Sequence, residues 1–140
     1  MSIIETEHPI ITAQRVQAAK RMDFLPSAFG AHYLQGERLV FSWLRELSDD
    51  YQGGYWHYYW LSNGAFYMAP DVATKLRLVW ANNFFDGAMS ADAAGIVATF
   101  YGLNHLISIT HNDMLIERYY GLREYVDRHP EASLIWRAID

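Results

Sequence analysis

Seven aromatic rings crowd into eighteen residues, GGYWHYYWLSNGAFYMAP, from Gly53 to Pro70, around a central Asn63-Gly64 pair. Asn-Gly between two ring-rich runs is a strong hairpin signal, because both residues tolerate the positive φ of a type I′ turn. The stretch predicts a β-hairpin over about residues 55–69, ended by Pro70, which has no N–H to give a ladder. A two-residue loop predicts the register: Ser62 opposite Ala65, Leu61 opposite Phe66, Trp60 opposite Tyr67 and Tyr59 opposite Met68. Alternation along the strands then places Tyr55, His57, Tyr59, Leu61, Phe66 and Met68 on one face. Trp56, Tyr58, Trp60 and Tyr67 fall on the other. Neither is a plain solvent face. The rings suit a core, a protein interface or a base-stacking platform. Cross-strand aromatic pairs contribute roughly 0.2–1 kcal/mol each, so packing is the favoured reading.

Helices flank the hairpin. Thr12 is a candidate N-cap for a short helix to Arg21, after which Pro26 biases Leu25 away from helical geometry. DFLPSAFG is therefore read as a loop seated by Phe24, Leu25 and Phe29. His32 to Leu47 is read as an amphipathic helix with Leu34, Phe41, Leu44 and Leu47 as its apolar stripe. KLRLVWANN predicts a third strand at about residues 76–81, with FFDGAMS as the loop after it. Ser90 caps a helix with Asp92 favourably placed against its dipole. That helix is apolar almost all round, through Ile96, Val97, Phe100, Leu103, Leu106 and Ile107. A further helix follows Asn112 with Leu115, Tyr119, Leu122 and Val126 as its stripe. Pro130 and Glu131 open a last short one. The expectation is a single α+β domain over residues 1–140, with a small antiparallel sheet and about five helices.

Composition narrows function mainly by exclusion. The chain has 140 residues, no cysteine, 16 acidic and 11 basic side chains and a net charge of −5. Disulfides, thiolate nucleophiles and cysteine-zinc sites are excluded. MSIIETEHPIITAQR has no basic segment leading into an apolar block, so no secretion signal is read there. From Ala93 to Asn112 no charged side chain appears, about the length of a membrane span. Gly95, Thr99, Gly102, Asn104, His105, Ser108, Thr110 and His111 make this a buried core helix instead, and no membrane association is expected. The basic residues form no stripe, which disfavours strong direct DNA binding. The acidic residues are too sparse to imitate a duplex.

No reactive constellation emerges. His105 and His111 lie six apart, off the i, i+4 spacing of two metal ligands on one helix, and no metal or other cofactor is expected. There is no G-x-S-x-G elbow, and GAMSADAAG lacks the lysine of a phosphate loop. Asp86 and Asp92 could pair as acid and base, but Asp92 as a dipole-matched helix residue is the better reading.

FLPSAFG (24–30), YQGGYWHYYWLSNGAFYMAP (51–70), MSADAAGIVAT (89–99), HPEA (129–132) and the terminal AID occur in this order. Together they resemble the antirestriction protein family typified by ArdB and KlcA; residues 1–22 carry none of the likeness. The resemblance implies a bacterial cytoplasmic protein of plasmids, phages or genomic islands. Such a protein relieves type I restriction of incoming unmodified DNA and is neither an enzyme nor cofactor-dependent. The implied partner is the host type I restriction-modification machinery, met as a monomer or weak homodimer. Tyr55, His57, Asn63, Asp86, Asp92 and Asp140 are the candidate interaction residues, with turn geometry the favoured role for Asn63. The rival reading is a nucleic-acid-binding module using the aromatic hairpin.

Overall fold

The computed structural model describes residues 9–140; the part of the signal-sequence reading that falls on residues 1–8 lies outside them. Two small antiparallel sheets are held by five α-helices. β1 (Ala13–Arg15), β2 (Trp56–Leu61) and β3 (Phe66–Pro70) form one sheet in that order, and β4 (Leu76–Trp80) pairs with β5 (Phe85–Met89) in the other. The helices are α1 (Arg21–Phe29), α2 (Tyr33–Leu47), α3 (Ala91–Thr110), α4 (Asp113–Val126) and α5 (Ala132–Ile139). The α+β class holds.

The hairpin forms where expected, but its register differs by one residue. Gly64 has φ +89, while Asn63 is not among the positive-φ residues. Leu61 N–H donates to the Ala65 carbonyl at 2.8 Å and Gly64 N–H to the Leu61 carbonyl at 3.0 Å. The loop is therefore Ser62–Asn63–Gly64, a turn followed by one left-handed residue, in place of the two-residue type I′ turn. Trp60 faces Phe66, Tyr59 faces Tyr67 and Tyr58 faces Met68. One residue of slip exchanges the faces of a strand: Phe66 and Met68 join Trp56, Tyr58 and Trp60, and Tyr67 joins Tyr59.

Other expectations are corrected as well. The third strand of the hairpin sheet is not residues 76–81 but Ala13–Arg15, which lies antiparallel to β2 with Gln14 opposite Trp60. Thr12 caps no helix; its N–H donates to Ser62 Oγ at 3.0 Å. The free edge of β2 needs partners for its N–H and C=O groups, and that demand overrides a weak helical preference. Residues 76–80 pair instead with β5, inside the stretch expected to be a loop. Pro26 lies within α1, on its exposed side, while Phe24, Ala28 and Phe29 are buried. In α2, Leu34 is exposed, and the inward stripe is Gly36, Val40, Leu44 and Leu47.

The centre of the molecule is α3, with twelve of its twenty residues buried. Among the described residues it is the one helix long and apolar enough to cross a membrane by composition. Here it packs on α2 and along the outer edge of β3. At Gly95 a Cβ would collide with the backbone of Met68 and Ala69, so only glycine permits this approach. Thr99 accepts from Met68 N–H at 3.2 Å and donates to the Gly95 carbonyl at 2.7 Å. A helix hydroxyl thus satisfies an edge-strand amide that would otherwise be buried and unpaired.

Candidate functional site

β3, the start of α3 and the turn before α5 meet at one hydrogen-bonded junction. Ser90 caps α3 as expected, its Oγ accepting from Ala93 N–H at 3.1 Å. The same hydroxyl donates to the Glu131 carboxylate, whose other oxygen accepts from Ser90 N–H at 2.9 Å. Glu131 therefore ties α5 to α3, and α5 itself begins one residue later, at Ala132. Asp92 sits in the first turn of α3, where a carboxylate suits the dipole. Its Oδ1 accepts from the Tyr67 hydroxyl at 2.8 Å, and its Oδ2 lies 2.8 Å from His129 Nε2.

The tautomer of His129 follows from its other nitrogen. Nδ1 accepts from Glu131 N–H at 3.0 Å, so in the neutral ring the proton sits on Nε2 and points at Asp92. Burial pushes the Tyr67 hydroxyl far above its ordinary range, and the Asp92 charge adds to this, so it stays a donor. Tyr67 is also sandwiched between Tyr59, at 4.6 Å, and Tyr125, at 6.0 Å. An Asp–His pair has the outline of a proton relay. However, the His129 side chain is only 5 % exposed and both its nitrogens are engaged. The arrangement joins three segments of chain.

Beside the junction lies an open groove of about 470 Å³ lined by Arg15, His57, Tyr59, Asp71, Lys75 and Asp92, among others. It brings together two of the six sequence candidates, His57 and Asp92, with Tyr55 on its flank. His57 Nε2 lies 3.3 Å from Asp71 Oδ1, and the Tyr55 ring packs edge-on to His57 at 5.4 Å. Tyr55 is exposed and, with Tyr58, holds the Arg21 guanidinium at 4.3 Å from each ring.

The other three candidates lie apart from the groove. Asn63 donates to the Gly121 carbonyl at 2.9 Å and accepts from Ala65 N–H at 3.0 Å, pinning the hairpin tip to α4. Asp86 is in β5, in a two-pronged pair with Arg77 at 2.8 and 2.6 Å that holds its carboxyl below the usual range. Asp140 is exposed at the end of α5. Tyr67, His129 and Glu131 were not among the candidate interaction residues read from sequence, although all three fall in the family-like blocks. Among the described residues no three His, Asp or Glu side chains cluster as metal ligands would. His105 accepts from Trp43 Nε1 at 3.1 Å, and His111 closes α3 at φ +53.

Residues 49–140 match the family model described as Antirestriction protein. The chain belongs to the antirestriction protein family. It is 48 % identical to an antirestriction protein KlcA of Escherichia coli, over 98 % of this chain and all of that protein. It is also 40 % identical to the uncharacterized protein YafX of Escherichia coli K12, over 93 % of this chain and 88 % of the relative. A solved structure superposes with a TM-score of 0.88 at 49 % identity, covering 96 % of this chain and 98 % of its own. It belongs to work on KlcA and ArdB that describes "a novel fold and antirestriction activity against Type I DNA restriction systems in vivo but not in vitro". In this antirestriction protein the junction gathers three of the family-like blocks: the hairpin through Tyr67, MSADAAG through Ser90 and Asp92, and HPEA through His129 and Glu131.

Proposed function

We propose that this protein relieves type I restriction of incoming unmodified DNA in the bacterial cytoplasm. It acts by non-catalytic contact with the restriction complex or its translocating state. The observation that carries this reading is the full-length match, at 49 % identity and a TM-score of 0.88, to proteins described as active against type I systems in vivo. The contrast with their inactivity in vitro favours a target present in the working cellular machinery over direct inhibition of an isolated enzyme. The junction supports a non-catalytic role, because its polar atoms are spent on one another.

The burial of most of the hairpin's rings favours this reading over the rival. A base-stacking surface needs exposed rings beside a positive groove, whereas Trp56, Tyr58, Phe66 and Tyr67 are at most 7 % exposed and Tyr55 is the one strongly exposed ring of the hairpin. The deciding assay plates unmodified phage on a type I restricting host with and without the gene. Higher plating efficiency with the gene is expected, and unchanged restriction overturns the proposal. Anisotropy titration against labelled duplex and single-stranded DNA tests the rival, with no tight, salt-dependent binding expected.

A further inference from the structure

The β4–β5 hairpin ends in a residue that neither packing nor turn chemistry explains. Phe84 is 94 % exposed. It also occupies left-handed backbone, φ 58 and ψ 30, a region that bulky side chains avoid and that glycine or asparagine adopts readily. A ring there gains nothing from burial and strains its own turn, and strain of this kind is a pointer to function. The turn is also held firmly. Asn83 Nδ2 donates to the Ala138 carbonyl at 2.7 Å, and the Tyr101 hydroxyl donates to the same oxygen at 2.8 Å. Phe84 is thus displayed on a fixed support.

The surface around it has a definite character. Arg77, Val79, Asp86 and Ala88 form the outward face of this hairpin, and Val79 is 43 % exposed. Val79 and Arg77 border a cleft of about 290 Å³ with Glu46, Asp49 and Asp50. Arg77 pairs with Asp86, and Arg137 lies over the Phe85 ring at 5.5 Å. An exposed apolar prong at the tip and a carboxylate-lined cleft bordering the same outer face are together complementary to an apolar socket with a basic patch beside it.

We propose that the outer face of the β4–β5 hairpin is a protein-docking surface, with Phe84 its anchor and the Glu46–Asp49–Asp50 cleft its electrostatic guide. The partner is a protein presenting an apolar socket with a patch of Lys or Arg beside it; resting on the function proposed above, it is a component of the type I restriction machinery.

The test is phage plating on a type I restricting host, with thermal unfolding of each purified variant. Phe84→Asn suits left-handed backbone, so its Tm should equal or exceed that of the wild type. Its relief of restriction should fall by on the order of tenfold or more, the scale of losing an interface anchor. Phe84→Trp should retain relief. The Glu46→Lys/Asp49→Lys double variant should fold normally and relieve restriction less well. Wild-type relief with unimpaired Phe84→Asn overturns this inference and leaves the proposed function standing; no relief by the wild type overturns both. A lower Tm for Phe84→Asn makes the ring structural and refutes the anchor. Sedimentation showing a wild-type dimer that Phe84→Asn dissolves replaces the partner with a second copy and refutes the proposed occupant.

Discussion

The two hairpins of this protein are built from similar material and do opposite things with it. The β2–β3 hairpin carries seven rings in and beside its strands and turns them mainly inward. Phe24 stacks on Tyr58 at 4.5 Å, and Phe29 meets Phe66 at 4.9 Å. Tyr67 is clasped on the other face by two tyrosines. The β4–β5 hairpin buries one face, through Leu76, Leu78, Phe85 and Met89, and leaves the other in solvent with Phe84 at its tip. Ring density alone therefore says little about recognition. Exposure combined with unfavourable backbone says more, because nothing in the fold accounts for it.

The comparison is most forcefully broken at Gly95. Gly95→Ala drives a methyl into the β3 backbone and should cost about 3–5 kcal/mol, or prevent folding, because backbone cannot rotate away. Chemical denaturation checks this; a loss below about 1 kcal/mol would mean that α3 is not seated on the hairpin as described.

Asp92→Ala comes next. It strands the buried His129 Nε2–H and frees the Tyr67 hydroxyl, so about 2–3 kcal/mol should be lost. Tyr67→Phe removes one hydrogen bond and keeps the stacking, and should cost about 1 kcal/mol. If Asp92→Ala were no worse than Tyr67→Phe, the junction would not be a tie between segments.

The smallest effect belongs to the outward face of the second hairpin. Asp86→Asn removes an exposed pair with Arg77, which contributes little in water. The carboxyl is held below its ordinary range in the folded state. Its stabilisation is therefore complete above the unfolded carboxylate range and vanishes as pH falls through the depressed folded value. The gap between wild type and Asp86→Asn should close on acidification; a gap that widens would contradict the assigned pair.

How legible this was depended on whether the signal was local. Ser90 as a cap, the largely apolar α3 and the stripe of α4 depend on spacing within one helix and were readable. The hairpin was readable from Asn63-Gly64, but its register was not. Asn63 commits its side chain to Gly121 and Ala65, and Gly64 alone takes the left-handed position. β1 was hidden because its reason to exist is the vacant edge of β2, far along the chain. β5 was hidden by Gly87 at its centre, though Phe85 and Met89 already alternate with Asp86 and Ala88. Of the candidate residues, His57 and Asp92 share a groove. Their companion His129 could not be found by spacing, since the Asp92–His129 contact joins two elements 37 residues apart.

The most direct test of the division between the hairpins measures plating efficiency and Tm together for Tyr67→Phe and Phe84→Asn. The account predicts a crossing: Tyr67→Phe lowers Tm and keeps relief of restriction at permissive temperature, while Phe84→Asn keeps Tm and loses relief. Phe84→Asn relieving restriction as well as the wild type, with Tyr67→Phe failing to do so while folded, would contradict it.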